Sequence, residues 1–151
     1  RIPRKKEITI MKQSSLQRAL CGALLFLGSL ATLTAGGFVV IANEGAPGTS
    51  ITAAALKDIY NGKTMYWDGG AAIAIVYAGD KTDAELKEAS GMDTGAFKTF
   101  WQRLAFSGRG QQPKKADDVA AAVALVASTK GAIAVVPADA AVAGVKKLEL
   151  K

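Results

Sequence analysis

The chain has no histidine, and its one cysteine, Cys21, sits inside an apolar run near the start. A zinc site of the Cys/His type is therefore excluded downstream, as are Ser-His and Cys-His nucleophiles. No disulfide can staple the domain, so an apolar core has to hold it. With aromatics at only 7%, that core must come mainly from the abundant Ala, Val, Leu and Ile. Basic charge is also scarce where it would matter. The formal charge is +6, but Arg1, Arg4, Lys5, Lys6, Lys12 and Arg18 all precede the apolar run, offset only by Glu7. The remainder is nearly neutral, which gives no case for a nucleic-acid partner.

What is present at the start reads as a secretory signal over residues 11–35. Met11 is a natural initiator, Lys12 and Arg18 form a positive n-region, and Ala19 to Leu33 is an uncharged apolar stretch. Ala35-Gly36-Gly37 offers the small residues a signal peptidase needs, with cleavage after Ala35 or after Gly36. The other reading is an uncleaved N-terminal anchor, although the run is short for a membrane span. Residues 1–10 read as an extension upstream of the true start. Cys21 is not a lipoprotein cysteine, since Arg18 and Ala19 form no lipobox. Residues 36–151 then make one small domain with no further membrane span.

Along that domain, Phe38 to Ala42 is a continuous apolar run, the pattern of a strand covered on both faces. Ser50 reads as the N-cap of a helix whose Leu56, Ile59 and Tyr60 share one face, with Gly62 as its stop. Ala72 to Ala78 is a second strand. Thr82 with Glu85 forms a capping box for a helix through Ala89. Asp93 or Thr94 caps the next helix, where Phe97, Phe100, Trp101 and Leu104 recur at helical spacing. That spacing makes Trp101 a core residue, whereas Trp67, in a turn with Met65 and Tyr66, fits either a lid or a partner-facing patch. Ser107 to Pro113 is a loop by composition. Ala116 to Thr129 reads as a helix with Val119, Val123 and Val126 on one side, and Ala132 to Val136 as a third buried strand closed by Pro137. Asp139 to Ala143 reads as a helical turn and Val145 to Leu150 as an edge strand. Strands separated by helices imply an α/β layered fold.

Three blocks, LKDIYNGKTMYWDGG, FKTFWQRLAFSGRGQQP and VAAAVALVASTKGAIAVVPADA, occur in an order that resembles the phosphate ABC transporter substrate-binding proteins, in particular short, single-domain members. The resemblance implies a periplasmic-binding-protein-like fold of the second type: a single-lobe α/β sandwich, its mixed sheet flanked by helices. It also implies a periplasmic location, a small inorganic oxyanion such as phosphate as ligand, and an ABC permease or another envelope protein as partner. Full-length relatives are two-lobed and close over the anion. The Ser-Gly-Thr turn with which the family grips phosphate would follow the second strand, where this chain reads Tyr77-Ala78-Gly79-Asp80-Lys81-Thr82-Asp83.

An oxyanion in such a fold is held by amides at helix N-termini and by hydroxyls, without metal or cofactor. The first candidate loop is Gly48-Thr49-Ser50, whose residue types are equally explained by turning and capping. The second is Ser107-Gly108-Arg109-Gly110. Flanking glycines let its backbone approach a ligand while the guanidinium forks onto two oxygens; the bland alternative is a solvated surface arginine. Thr82 could add one hydroxyl, although Asp80 and Asp83 would repel a dianion. No paired acid–base constellation stands out, so an enzyme is not expected. Two functions remain: a solute-binding-like protein that takes a small oxyanion, and an envelope interaction module that keeps the fold without the ligand.

Overall fold

The computed structural model describes residues 37–151; the expected leader, the upstream extension and Cys21 lie outside them. Six strands and four helices follow in the order β1 (Phe38–Ala42), β2 (Ser50–Ile51), α1 (Ala53–Tyr60), β3 (Ala74–Tyr77), α2 (Asp83–Ser90), α3 (Thr94–Phe106), β4 (Lys114–Lys115), α4 (Val119–Ser128), β5 (Ala132–Pro137) and β6 (Lys146–Leu150). A short 3-10 turn, Gly79–Thr82, joins β3 to α2. The strands form one sheet in the order β2-β6-β1-β5-β3-β4. β1 is antiparallel to both of its neighbours, β5 and β6, while the remaining pairs are parallel. The result is the expected mixed sheet with helices on both faces.

Side-chain alternation along the strands divides the core into two layers. Val40, Ala42, Ile133 and Val135 face one side, where they meet Leu56 and Ile59 of α1, Leu86 of α2 and Phe97 of α3. Ile41, Ala134 and Val136 face the other side and meet Ala122, Val123 and Val126 of α4. β5 is therefore buried on both faces, which is why its sequence is an unbroken apolar run. The aromatic ladder expected on α3 stands in the first layer. Phe97 packs edge-on against Tyr77 at 5.4 Å and lies 6.2 Å from Trp101. The indole of Trp101, 3% exposed, donates to the Tyr60 carbonyl at 3.1 Å and so fastens α3 to the end of α1.

The helix starts correct several expectations. Thr52, not Ser50, caps α1, its hydroxyl accepting from Ala55 N at 3.1 Å. Ser50–Ile51 instead pair with Glu149–Leu150 of β6, because Ile51 buries its side chain and β6 has free backbone groups to pair. That pairing also moves β6 from the expected edge to the interior of the sheet. Thr82 forms no capping box, since its hydroxyl accepts from Ala78 N within the 3-10 turn and is 1% exposed. Asp93 caps α3 and Asp118 caps α4, at 2.8 and 2.7 Å from the amides of Ala96 and Ala121. Residues 139–143 are not helical. Ala140 and Val142 lie on the second core layer, which draws the segment out across it. The four-residue β3 is shorter than expected, because Ala72 pairs with Tyr66 in an isolated bridge.

Gly131 enters β5 with φ +75°, and a Cβ there would collide with the Ala72 carbonyl oxygen. No side chain relieves a clash with backbone, so Gly131→Ala is expected to lower unfolding free energy by at least about 2 kcal/mol, read by urea denaturation. Tyr60 is fully buried, and its hydroxyl, although near the Val135 backbone, makes no hydrogen bond of good geometry. Tyr60→Phe removes an uncompensated polar group, so thermal unfolding should show a Tm unchanged or raised; a lowered Tm contradicts that account. Asp83 Oδ1 accepts from Thr94 N at 2.7 Å, and this bond holds the carboxyl below its ordinary 3.8. Its contribution is present above the unfolded-state value and lost as pH falls through the depressed one. Between pH 4 and 2 the wild type should therefore lose more stability than Asp83→Asn in parallel urea titrations.

Candidate functional site

The parallel strands give the sheet two distinct ends. At the C-terminal end of β3 lie the Gly79–Thr82 turn and the approach to α4, where Ala116 N donates to the Tyr77 carbonyl. The start of α1 is at the same end, since Ala53 N donates to Lys151 O just past β6. At the opposite end, the starts of β3 and β5 are joined by Ala74 N donating to Gly131 O. The segment 61–73, the end of α3 and the loop that follows it gather there.

That second end carries an open pocket of about 260 Å³. One wall is Thr64, Met65 and Tyr66; the other is the loop Gly108-Arg109-Gly110-Gln111. Trp101 and Ile75, both buried, underlie it, and Ile73 and Ala72 complete the side next to β3. Several local features build this arrangement. Tyr66 bridges Ala72 in a tight hairpin, whose Trp67 amide donates to Ala71 O at 2.8 Å. The Trp67 indole donates to Gly131 O at 3.0 Å and fixes the hairpin to β5, which settles Trp67 as an anchor. On the other wall, Arg109 N donates to Leu104 O, so the loop begins as an extension of the α3 end. Gly110 is where it closes on the indole: a Cβ there would lie 3.0 Å from Met65 Cε and 3.1 Å from Trp101 Cζ3.

Of the residues singled out in the sequence, Gly108, Arg109 and Gly110 share this pocket. Ser107 is adjacent, but its hydroxyl donates to Leu104 O at 2.8 Å and closes the helix. Gly48, Thr49 and Ser50 are not at a helix start. The Gly48 carbonyl accepts from Lys146 Nζ, the Thr49 carbonyl accepts from Glu149 N, and Ser50 is in β2. Thr82 lies beyond the far end of β3, roughly 13 Å of strand from the Arg109 loop at about 3.3 Å per residue. The two candidate loops and Thr82 therefore do not close around one shared point. Thr64, Tyr66, Ile73 and Gln111 were missed. The aromatic run Met65-Tyr66-Trp67 was the one available signal, because the other lining residues come together only through tertiary packing.

Chemically, the pocket joins one strong fork donor, Arg109, to neutral donors and acceptors on Thr64, Tyr66 and Gln111, above an apolar base. Among the described residues the one ion pair is Lys63–Asp58, at 3.2 Å and exposed, so no carboxylate lies within salt-bridge distance of Arg109. No group of three or more His, Cys, Asp or Glu gathers as a metal site among the described residues. Burial raises the Tyr60 and Tyr77 phenols above their ordinary 10.0, so neither ionises near neutrality. No helix among the described residues is long and apolar enough to cross a membrane.

Comparison with solved structures finds the same architecture. An ABC-type phosphate transport receptor from Vibrio cholerae is 17% identical with a TM-score of 0.52, the match covering 76% of this chain and 46% of that one. A structure from Clostridium perfringens, described as a phosphate ABC transporter substrate-binding protein with bound phosphate, is 21% identical with a TM-score of 0.52. That match covers 76% of this chain and 44% of its counterpart. The chain thus spans under half the length of either protein, and at these identities the likeness is one of fold. No curated protein matches it. A protein-family model described as the PBP superfamily domain matches residues 32–148, nearly the whole of the region with described structure. The layered sheet, the order of its elements and that match agree: the chain belongs to the PBP superfamily domain family.

Proposed function

We propose that this domain is a periplasmic solute-binding-type module, exported by the 11–35 leader, that captures a small oxyanion at Arg109 and can present it to an ABC permease. The observation that carries the reading is Arg109 itself. It lies between two glycines on one wall of the pocket, with Gln111 on the same loop and Thr64 on the facing wall, and no carboxylate neutralises it among the described residues. A guanidinium so placed can fork onto two oxygens of one anion, and the neighbouring hydroxyl and amide can complete the shell. The fold relatives that handle phosphate support an anion as the class of solute, and no paired acid–base constellation stands out among the described residues. The missing Ser-Gly-Thr turn and the buried, internally bonded Thr82 move the proposed site away from the end of β3.

A second reading, an envelope interaction module that kept the fold and lost the ligand, is favoured by one observation. Tyr66 is 63% exposed and Phe106 93% exposed, both at the end of the sheet that carries the pocket. Large apolar side chains left in water at one end of a sheet are candidates for a contact surface.

Titration with phosphate, sulfate and molybdate, followed by calorimetry and tryptophan emission, separates the two. Trp101 lines the pocket, so its emission should shift on binding. Arg109→Ala should weaken binding by roughly 10- to 100-fold, the scale of a lost charge-assisted hydrogen bond of about 1.5–3 kcal/mol. If all three anions leave heat and emission unchanged at millimolar concentration, capture of an inorganic oxyanion fails and the interaction module gains support.

A further inference from the structure

The pocket at Arg109 has two chemically different parts. Its base is apolar: Ile75 and Trp101 are buried, and Met65 and Ile73 are half-buried and packed against the main core. Its rim is polar and exposed, with Arg109, Thr64 and Gln111 joined by the Tyr66 phenol. A bare inorganic dianion needs N–H and O–H donors on nearly every side, because an oxygen turned toward an apolar wall loses its water without replacement. Here the donors come from the rim alone. The side chains below can offer a dianion no hydrogen bond.

Size limits any occupant to a small one. At about 260 Å³ the pocket lies just under the range of about 300–1,000 Å³ in which organic ligands are held. Its shape follows from Gly110, whose backbone approaches Met65 and Trp101 so closely that an added Cβ would lie 3.0 and 3.1 Å from them. The loop thereby closes over most of the indole, which is 3% exposed, and the half-buried Met65 thioether and the edge of the Trp101 ring line the base, where both groups favour flat or apolar partners.

We propose that the pocket takes a small organic anion, a carboxylate or phosphate monoester. Its charged end would fork onto Arg109 and its apolar body would lie against Met65, Ile73 and Trp101. The proposal rests on the oxyanion reading of Arg109 and narrows its ligand class from inorganic to organic. The rim supplies charge recognition, and the base supplies discrimination in favour of solutes with an apolar body.

Matched probes test this on the full chain: phenyl phosphate against inorganic phosphate, and benzoate against acetate, each by calorimetry and tryptophan emission. The expected result is at least tenfold tighter binding of the ring-bearing member of each pair, with Arg109→Ala weakening both ring compounds. Met65→Gln, which makes the base polar, should reduce the ratio between the members of each pair. If that variant does not fold, Gly110→Ala serves instead, because its methyl enters the same space. Equal affinity within each pair overturns the organic-anion proposal while leaving the oxyanion reading intact. Tighter binding of the ring compounds that survives Arg109→Ala overturns the oxyanion reading. Absence of binding by all four probes overturns both.

Discussion

The carbonyl of Gly131 accepts two hydrogen bonds, from the amide of Ala74 and from the indole of Trp67. Most of the architecture depends on this shared acceptor. The first bond sets β3 beside β5; the second ties the 64–72 hairpin to the same central strand. Both require the backbone of Gly131 to approach Ala72 more closely than any side chain permits. β5 is buried on both faces, so little can shift there without disturbing two core layers at once. The pocket wall formed by Thr64 to Tyr66 is therefore mounted on the most constrained strand of the molecule, although the wall itself reaches solvent.

The same constraint explains why the candidate site sits where it does. The parallel strands direct the helix starts of α1 and α4 and the Gly79–Thr82 turn to their C-terminal end, where helix dipoles favour anions. In this chain the turn at that end has been put to structural use: Thr82 supports Ala78, and Asp83 supports the start of α3. Polar atoms already committed to internal bonds offer little to a solute. At the N-terminal end the opposite holds. Arg109 has no acidic partner among the described residues, and the loop carrying it is closed against Trp101 by a glycine rather than by polar bonds. Available charge and open volume coincide there.

How much of this was legible in the sequence depended on whether a feature was local. Phe38–Ala42 and Ala132–Pro137 announced themselves as buried strands, and Leu56, Ile59 and Tyr60 as one helix face, because burial imposes its own spacing on residues near in sequence. The Phe97 and Trp101 core face was read for the same reason. Two-residue strands such as β2 and β4 have no period to detect. β2 exists because β6, a hundred residues later, presents an edge for it, and that pairing displaced the cap from Ser50 to Thr52. Thr82 misled for a related reason: its residue type fits a cap, but its hydroxyl found a nearer donor in Ala78. At the site, Arg109 was visible through its flanking glycines. Thr64, Tyr66 and Ile73 were not, since the hairpin meets the loop through tertiary packing: the Trp67–Gly131 bond holds the hairpin to β5, and Gly110 brings the loop against Met65.

Trp101 serves in two settings at once, and this links recognition to stability. Its indole N–H is held by the Tyr60 carbonyl and its ring packs among Phe97 and Phe100, so its orientation is fixed by the core. The same ring underlies the pocket, and Gly110 and Gly62 leave room for neighbours to approach it. A side chain locked by packing meets a ligand without first losing rotamer freedom, which lowers the entropic cost of association. On the proposed reading, the side chains left to order on binding are the exposed ones of the rim, Arg109, Thr64, Tyr66 and Gln111. In a domain with few aromatics and no disulfide, committing one tryptophan to both the core and the pocket base makes the site as rigid as the fold that carries it.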